Sequence, residues 1–381
     1  MDVHCMDSQR TFLEIEENPD YLNSQLITYI GNKRALLDFI GKAIDKVKQR
    51  LGKKRIIALD LFSGSGIVAR YLKRHSELLI ANDLEEYSYV TNQCYLANRS
   101  TIDMPLLQQM HTELLHRLAS EPLREGIIAK YYAPKDDDHI KDGERVFYTT
   151  RNARYLDTAR QLIAQLPSRI QPFFLAPLIS EASIHANTSG VFKGFHKNRE
   201  TGIGNFGGTN GDALVRIKGP ISLLFPIFSS FESAVQVYNE DANTLVQRLP
   251  MVDLAYLDPP YNQHPYGSNY FMLNLLVSYT EPTHISNVSG IPSDWNRSAY
   301  NKPGRALQAF SDLVQNLNAR FLLVSFNSEG FIRREQMIDL LSSIGHVEVL
   351  ETTYNTFRGS RNLHKRSIHV KEFLFLVERD R

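Results

Sequence analysis

The sequence predicts a doubly wound α/β core interrupted by an insert, and three apolar runs predict it. Ile56-Ile57-Ala58-Leu59 ends in Asp60, turns through Phe62-Ser63-Gly64-Ser65-Gly66 and continues as Ile67-Val68-Ala69-Arg70-Tyr71-Leu72 at helical spacing. Leu78-Leu79-Ile80-Ala81 ends at Asn82-Asp83, and Leu254-Ala255-Tyr256-Leu257 ends at Asp258-Pro259-Pro260-Tyr261. Short apolar runs bounded by turn residues read as buried parallel strands, and open α/β sheets hold ligands beyond the carboxyl ends of their strands. An acid at the end of each run therefore marks one candidate site.

The elements follow in chain order. Residues up to about Asp20 read as a flexible, acidic lead, and Leu36 to Val47 has helical spacing. The strands ending at Asp60 and Asp83 come next, then a helix over Glu86 to Asn98. From 103 to 230 the strand–helix alternation is lost. Within that stretch Lys135 to Glu144 reads as loop and Leu175 to Ala186 as a buried helix. Asn187 to Gly211 combines glycines with basic and aromatic residues, a composition suited to a segment reaching into a groove. Alternation returns at Val235-Gln236-Val237-Tyr238, with Asp241 beyond it, and continues through the Asp258 strand, Phe321 to Phe326, Val347 to Leu350 and Phe373 to Val377. The chain carries no internal repeat and no low-complexity tract.

Asp258 to Tyr261 carries the chemistry. A carboxylate and the Pro259 carbonyl can each accept a hydrogen bond from an exocyclic amine. Consecutive prolines lock φ and add no N–H donors, which leaves a stiff ledge that only accepts. Tyr261 can stack on a ring whose amine is so held. Asp-Pro and Pro-Pro are also ordinary loop punctuation, so the tetrad alone leaves both readings open. The Gly64-Ser65-Gly66 turn lets backbone approach a ligand closely. Ala69 stands where the third glycine of a dinucleotide fingerprint would fall, so no pyrophosphate is demanded. Asp83 lies where acids bind ribose hydroxyls in nucleotide-binding α/β folds. Together they point to a nucleoside cofactor without a pyrophosphate.

These two motifs, preceded by Tyr29-Ile30-Gly31-Asn32-Lys33-Arg34, resemble the S-adenosylmethionine-dependent N6-adenine DNA methyltransferases of the D12 class, Dam-like and of the restriction-modification type. Asn269-Tyr270, Ser325 to Gly330 and Glu372 to Phe375 add to the resemblance. It implies a Rossmann-like methyltransferase core over 1–102 and 231–381, a target-recognition domain inserted at 103–230, and a mixed sheet with a reversed final hairpin. It further implies S-adenosyl-L-methionine held by Tyr29, Ile30, Gly31, Asn32, Lys33, Asp60, Phe62, Ser63, Gly64, Ser65, Gly66, Asp83, Leu84, Asp241, Ala242 and Asp258. Catalysis would fall to Asp258, Pro259, Pro260 and Tyr261, on an adenine flipped out of duplex DNA, with a cognate endonuclease as a possible partner. The insert is longer than in minimal Dam-like members, so no recognition sequence carries over. N4 of cytosine in DNA, or N6 of adenine in RNA, presents a similar amine. A catalytically retired binding module is a third alternative, against which the intact Gly64, Asp83, Asp258 and Tyr261 argue.

Composition narrows the class. Only Cys5 and Cys94 are present, too few for a disulfide framework or a cysteine zinc site, and the twelve histidines fall into no metal-ligand spacing. No metal is therefore expected. No apolar run approaches the roughly 18 residues of a membrane span, and the polar start is no signal peptide, so a cytoplasmic enzyme is expected. Net charge is +1, but it is unevenly spread. Arg358, Arg361, Lys365, Arg366 and Lys371 fall in a stretch without acids, and Lys193, Lys197, Arg199, Arg216 and Lys218 in another facing only Glu200 and Asp212. Basic loops on both sides of the tetrad fit phosphate contact, with solvated surface as the alternative for either one alone. By resemblance, Asn269 and Tyr270 join the DNA-contacting set.

Overall fold

A computed structural model describes residues 15–207, 211, 213–260, 262–327, 330–355 and 369–380. Its centre is one seven-stranded sheet: β1 Ile56–Asp60, β2 Ser76–Asn82, β3 Ala234–Tyr238, β4 Val252–Leu257, β5 Ala319–Asn327, β6 Gly345–Asn355 and β7 His369–Arg379, ordered β3-β2-β1-β4-β5-β7-β6. The pairs from β3 through β5 are parallel. Strand β7 runs against both of its neighbours, β5 and β6, as the expected reversed hairpin.

Both faces of the sheet are covered, and the period-2 alternation of each strand explains why. Ala58, Leu79, Leu254, Tyr256, Phe321 and Leu323 pack against helices α1 Leu37–Leu51 and α2 Ile67–Lys73. Leu59, Ile80, Ala255, Leu257, Leu322 and Val324 point the other way.

The helices between β2 and β3 are α3 Glu86–Tyr95, α4 Met104–Ser120, α5 Ile127–Tyr132, α6 Thr150–Ile163, α7 Gln171–Ile184 and α8 Leu214–Lys218. Beyond β3 come α9 Ala242–Leu245, α10 Tyr266–Asn269, α11 Phe271–Ser278, α12 Pro303–Asn316 and α13 Arg334–Ser342. Helices α9, α12 and α13 cover the second face of the sheet. The 103–230 segment is helical where it is regular, and its apolar residues form one cluster with Tyr87 and Val90 of α3 and with Phe271, Leu273 and Leu276 of α11. Helix α7, apolar on nearly every side, is its buried centre.

Two expectations change on inspection. The lead is held from Glu17 onward: its carboxylate accepts from Ser229 Oγ at 2.6 Å and Ser230 N at 2.8 Å, and buried Tyr21 donates to the Tyr95 carbonyl at 2.7 Å. Asn187 to Gly207 is irregular, as expected, yet its base is buried. Asn187 donates to the carbonyls of Val146 and Asn205 and accepts from Gly207 N, and Phe192 enters the helical core.

Candidate active site

The acids at the strand ends converge. Asp60, Asp83, Asp241 and Asp258 line one cleft where β1 and β4 lie side by side and the chain winds off in opposite directions. That is the switch point at which such sheets bind ligands.

The turn after β1 is built on two left-handed glycines, Gly64 at φ +53° and Gly66 at φ +76°. Gly64 N donates to Asp83 Oδ2 at 2.7 Å, which locks the turn to the end of β2, and Asp83 Oδ1 accepts from Glu85 N at 2.9 Å. A Cβ on Gly64 would stand 3.0 Å from the Tyr29 ring. That ring is held by its neighbours: Tyr266 and Tyr270 lie with centroids 5.0 and 4.7 Å away and nearly parallel planes, and Tyr87 meets it edge-on and donates its hydroxyl to Tyr29 Oη at 3.2 Å.

Most of the predicted cofactor residues meet here: Tyr29, Gly31, Asn32, Lys33, Phe62, Ser63, Gly64, Ser65, Leu84 and Ala242 join the four acids in the lining. Two stand apart. Ile30 is exposed and gives its N–H to Tyr270 Oη at 2.7 Å, and Gly66 opens α2 against Asn92 of α3. The cleft also contains residues that sequence reasoning missed. Glu85 follows Asp83 by two positions, Tyr266 and Gly267 follow the tetrad, and Asn296, Ser298, Tyr300 and Asn301 close the far wall. Asn274 and Asn296 both donate to Glu85 Oε2, and Asn301 donates to the Asn262 carbonyl at 2.8 Å, which ties the wall to the loop after the tetrad. None of these sits in a recognisable motif; the only available signal was the aromatic spacing of Tyr266 and Tyr270 behind the prolines.

Negative charge dominates the cleft. Asp60 is fully buried, and its carboxylate oxygens make no hydrogen bond of good geometry among the described residues. Burial first, then the charges of Asp258 and Asp83, hold its pKa well above the usual carboxylate range. Burial pushes Asp83 up to about 6, against hydrogen bonds from the N–H groups of Glu85, Gly64 and Leu84. Burial likewise raises Asp258 to about 6, with the Lys33 ammonium opposing the rise and Glu372 adding to it. Lys33, 3% exposed, places Nζ 2.8 Å from Glu372 Oε1 and 3.4 Å from Asp258 Oδ1. Uncompensated acids in a partly closed cleft favour a ligand that brings positive charge.

The expected DNA-facing residues divide. Lys193, Lys197 and Arg199 are exposed on the glycine-rich segment. Phe192 N donates to the Asn269 carbonyl at 2.7 Å, and Lys193 Nζ lies 3.3 Å from His264 Nδ1, so the segment is anchored beside the cleft mouth. Asn269 and Tyr270 are buried instead, because Tyr270 completes the stack on Tyr29 and Asn269 sits beneath the Phe192 contact. Tyr261, Arg358, Arg361, Lys365 and Arg366 lie outside the described residues.

Residues 29–289 match the family model described as D12 class N6 adenine-specific DNA methyltransferase. The chain belongs to that family. Its relatives include the type II methyltransferase M.NlaIII of Neisseria lactamica, 29% identical over 93% of this chain and 99% of that protein, and M.CviAII of Paramecium bursaria Chlorella virus 1, 29% identical over 92% and 98%. The modification methylase StsI of Streptococcus sanguinis is 30% identical over 92% of this chain and 52% of its own length. The protein is thus an adenine-specific DNA methyltransferase. The family match of this methyltransferase opens at Tyr29, which packs against Tyr266 and Tyr270. It ends before the Asn296–Asn301 wall and before β5 and β7, which carry Ser325 and Glu372. Among the described residues of the methyltransferase no group of three or more His, Cys, Asp or Glu side chains could hold a metal ion, and no helix is long and apolar enough to cross a membrane.

Proposed function

We propose that this methyltransferase moves a methyl group from S-adenosylmethionine to N6 of an adenine flipped out of double-stranded DNA, as the modification arm of a restriction-modification system. The observation that carries the reading is that a single cleft joins the glycine turn after β1 to Asp258 and Pro260 after β4, with Pro259 buried between them. The cofactor suits the residues present. Asp60 offers a buried carboxylate lacking a good hydrogen-bond partner to a cationic amino-acid end, Asp83 and Leu84 border the place for ribose, and Asp241 with Ala242 that for the base. The bound cofactor supplies an electrophilic methyl group on a sulfonium sulfur.

The chain's own residues do the rest. The lone pair of an adenine amine is delocalised into the ring, so the amine is a poor nucleophile. Acceptors on its two hydrogens, Asp258 and the Pro259 carbonyl, favour a pyramidal nitrogen whose lone pair points at the methyl group, leaving mainly positioning to be done. A base inside the duplex cannot reach this ledge. Flipping costs a few kcal/mol, which stacking on Tyr261 offsets in part. Lys193, Lys197 and Arg199, with Arg358, Arg361, Lys365 and Arg366, would neutralise phosphates around it. The type II names of its relatives suggest a cognate endonuclease, and a DNA substrate would place the enzyme in the cytoplasm. Incubation with methyl-labelled cofactor and duplex DNA, followed by nucleoside digestion, should yield labelled N6-methyladenine. Label in N4-methylcytosine, or in RNA alone, would replace this reading.

A further inference from the structure

Three adjacent strands bring three polar side chains to one corner of the cleft. Strands β4 and β5 end there, and β7, being antiparallel, begins there, so Asp258, Ser325 and Glu372 meet although they lie far apart in sequence. Lys33 enters from the segment before α1 and completes the group, 339 residues from Glu372. Glu372 is fully buried, and its Oε1 accepts both from Lys33 Nζ at 2.8 Å and from Ser325 Oγ at 2.7 Å.

We infer that Glu372 is a positioning residue for Asp258: by holding Lys33 at the shorter distance, it keeps the ammonium from closing onto Asp258, whose carboxylate stays charged yet open to the target amine. The inference rests on the methyl-transfer reading, because only then does Asp258 need an open lone pair.

The geometry argues against a purely stabilising ion pair. Among the described residues, one buried cation meets two carboxylates and takes them at unequal distances, 2.8 and 3.4 Å, with the looser contact on the residue that faces the cleft. A tight Lys33–Asp258 pair would occupy an acceptor site and weaken the one that remains. With no cation nearby, burial would leave Asp258 protonated, and a protonated carboxyl donates where an acceptor is needed. Sharing the ammonium avoids both extremes. Among the described residues, the titratable groups around Asp258 are Lys33 from the entering segment, Glu372 from β7, Asp60 from β1 and the Tyr256 phenol from β4. The influence of Lys33 on Asp258 exceeds that of Glu372, and the two are opposite in sign.

The test is the pH profile of single-turnover methyl transfer to duplex DNA at saturating cofactor. In Glu372→Gln the raising influence is lost and Lys33 settles on Asp258. The acidic limb should move to lower pH, and the plateau rate should fall about tenfold as the acceptor weakens. In the double variant Lys33→Gln/Glu372→Gln the larger influence is lost as well, so the limb should move to higher pH. Glu372→Asp, which keeps the charge, should return the limb to its wild-type position. A structural role alone would slow or destabilise these variants without shifting their limbs in opposite directions. Limbs that stay at the wild-type pH in the single and double variants would overturn the inference while leaving the methyltransferase reading intact. Should Glu372→Gln not fold, the upward shift of the double variant decides alone. A wild-type protein that transfers no methyl group would overturn the parent reading, and this inference with it.

Discussion

Replacing Gly64 by alanine tests how tightly the cofactor turn is clamped. Two separate penalties apply. The residue sits at φ +53°, where a side chain costs about 1–2 kcal/mol. The new Cβ also stands 3.0 Å from the Tyr29 ring, which is held by ring contacts with Tyr87, Tyr266 and Tyr270. Overpacking of this kind costs about 1–3 kcal/mol, so the total should reach roughly 2–5 kcal/mol. The protein contains its own control. Gly52, at the end of α1, has φ +64° but nothing within 4 Å of an added Cβ, so Gly52→Ala should show the backbone penalty alone. Equilibrium denaturation of both variants, with cofactor titration by calorimetry, separates the contributions. Gly64→Ala should lose more stability than Gly52→Ala and should bind cofactor more weakly, since Tyr29 lines the cleft. Equal losses, with cofactor affinity unchanged in both, would refute the claim that the tyrosine stack braces the turn.

Other consequences follow from the same geometry. Asp258 must be ionised to accept from the amine, and its pKa lies near 6; methyl transfer should therefore rise with pH through that value and level off above it, and a rate flat through that range would contradict an ionised acceptor. Alanine at Arg361, Lys365 and Arg366 together should weaken DNA binding for all sequences and flatten its salt dependence, by about 0.9 in log–log slope for each lost phosphate contact. An unchanged slope in filter-binding or anisotropy titrations would assign that stretch to solvated surface.

Much of this architecture was legible from local pattern. Strands β1, β2 and β4 announce themselves as apolar runs, and each acid beyond them marks the sheet edge because turn chemistry is local. What was not legible depends on contacts between distant segments. Lys33 read as a cofactor residue from its motif, and nothing local tells that β7 delivers Glu372 to it. The Asn296–Asn301 wall carries no motif, and only the fold brings Asn301 to the Asn262 carbonyl. Asn269 and Tyr270 fall by resemblance in the DNA-contacting set. Tyr270 is buried in a tyrosine cluster that takes in Tyr29, about 240 positions upstream, and Asn269 lies beneath Phe192 of the glycine-rich segment. The 103–230 segment read as an insert from its lost alternation, whereas its core is continuous with α3 and α11 of the flanking segments.

The central claim is that Asp258 holds the target amine. Asp258→Ala removes that acceptor while leaving Lys33 paired with Glu372 at 2.8 Å, so no buried charge is orphaned and the fold should persist. Labelled methyl transfer to duplex DNA, read beside cofactor and DNA affinities for the same preparation, tests it most directly. The account predicts retained binding of both ligands and a transfer rate lower by about a hundredfold or more, the scale of losing a positioned acceptor in the transition state. Near-wild-type transfer by Asp258→Ala would contradict it.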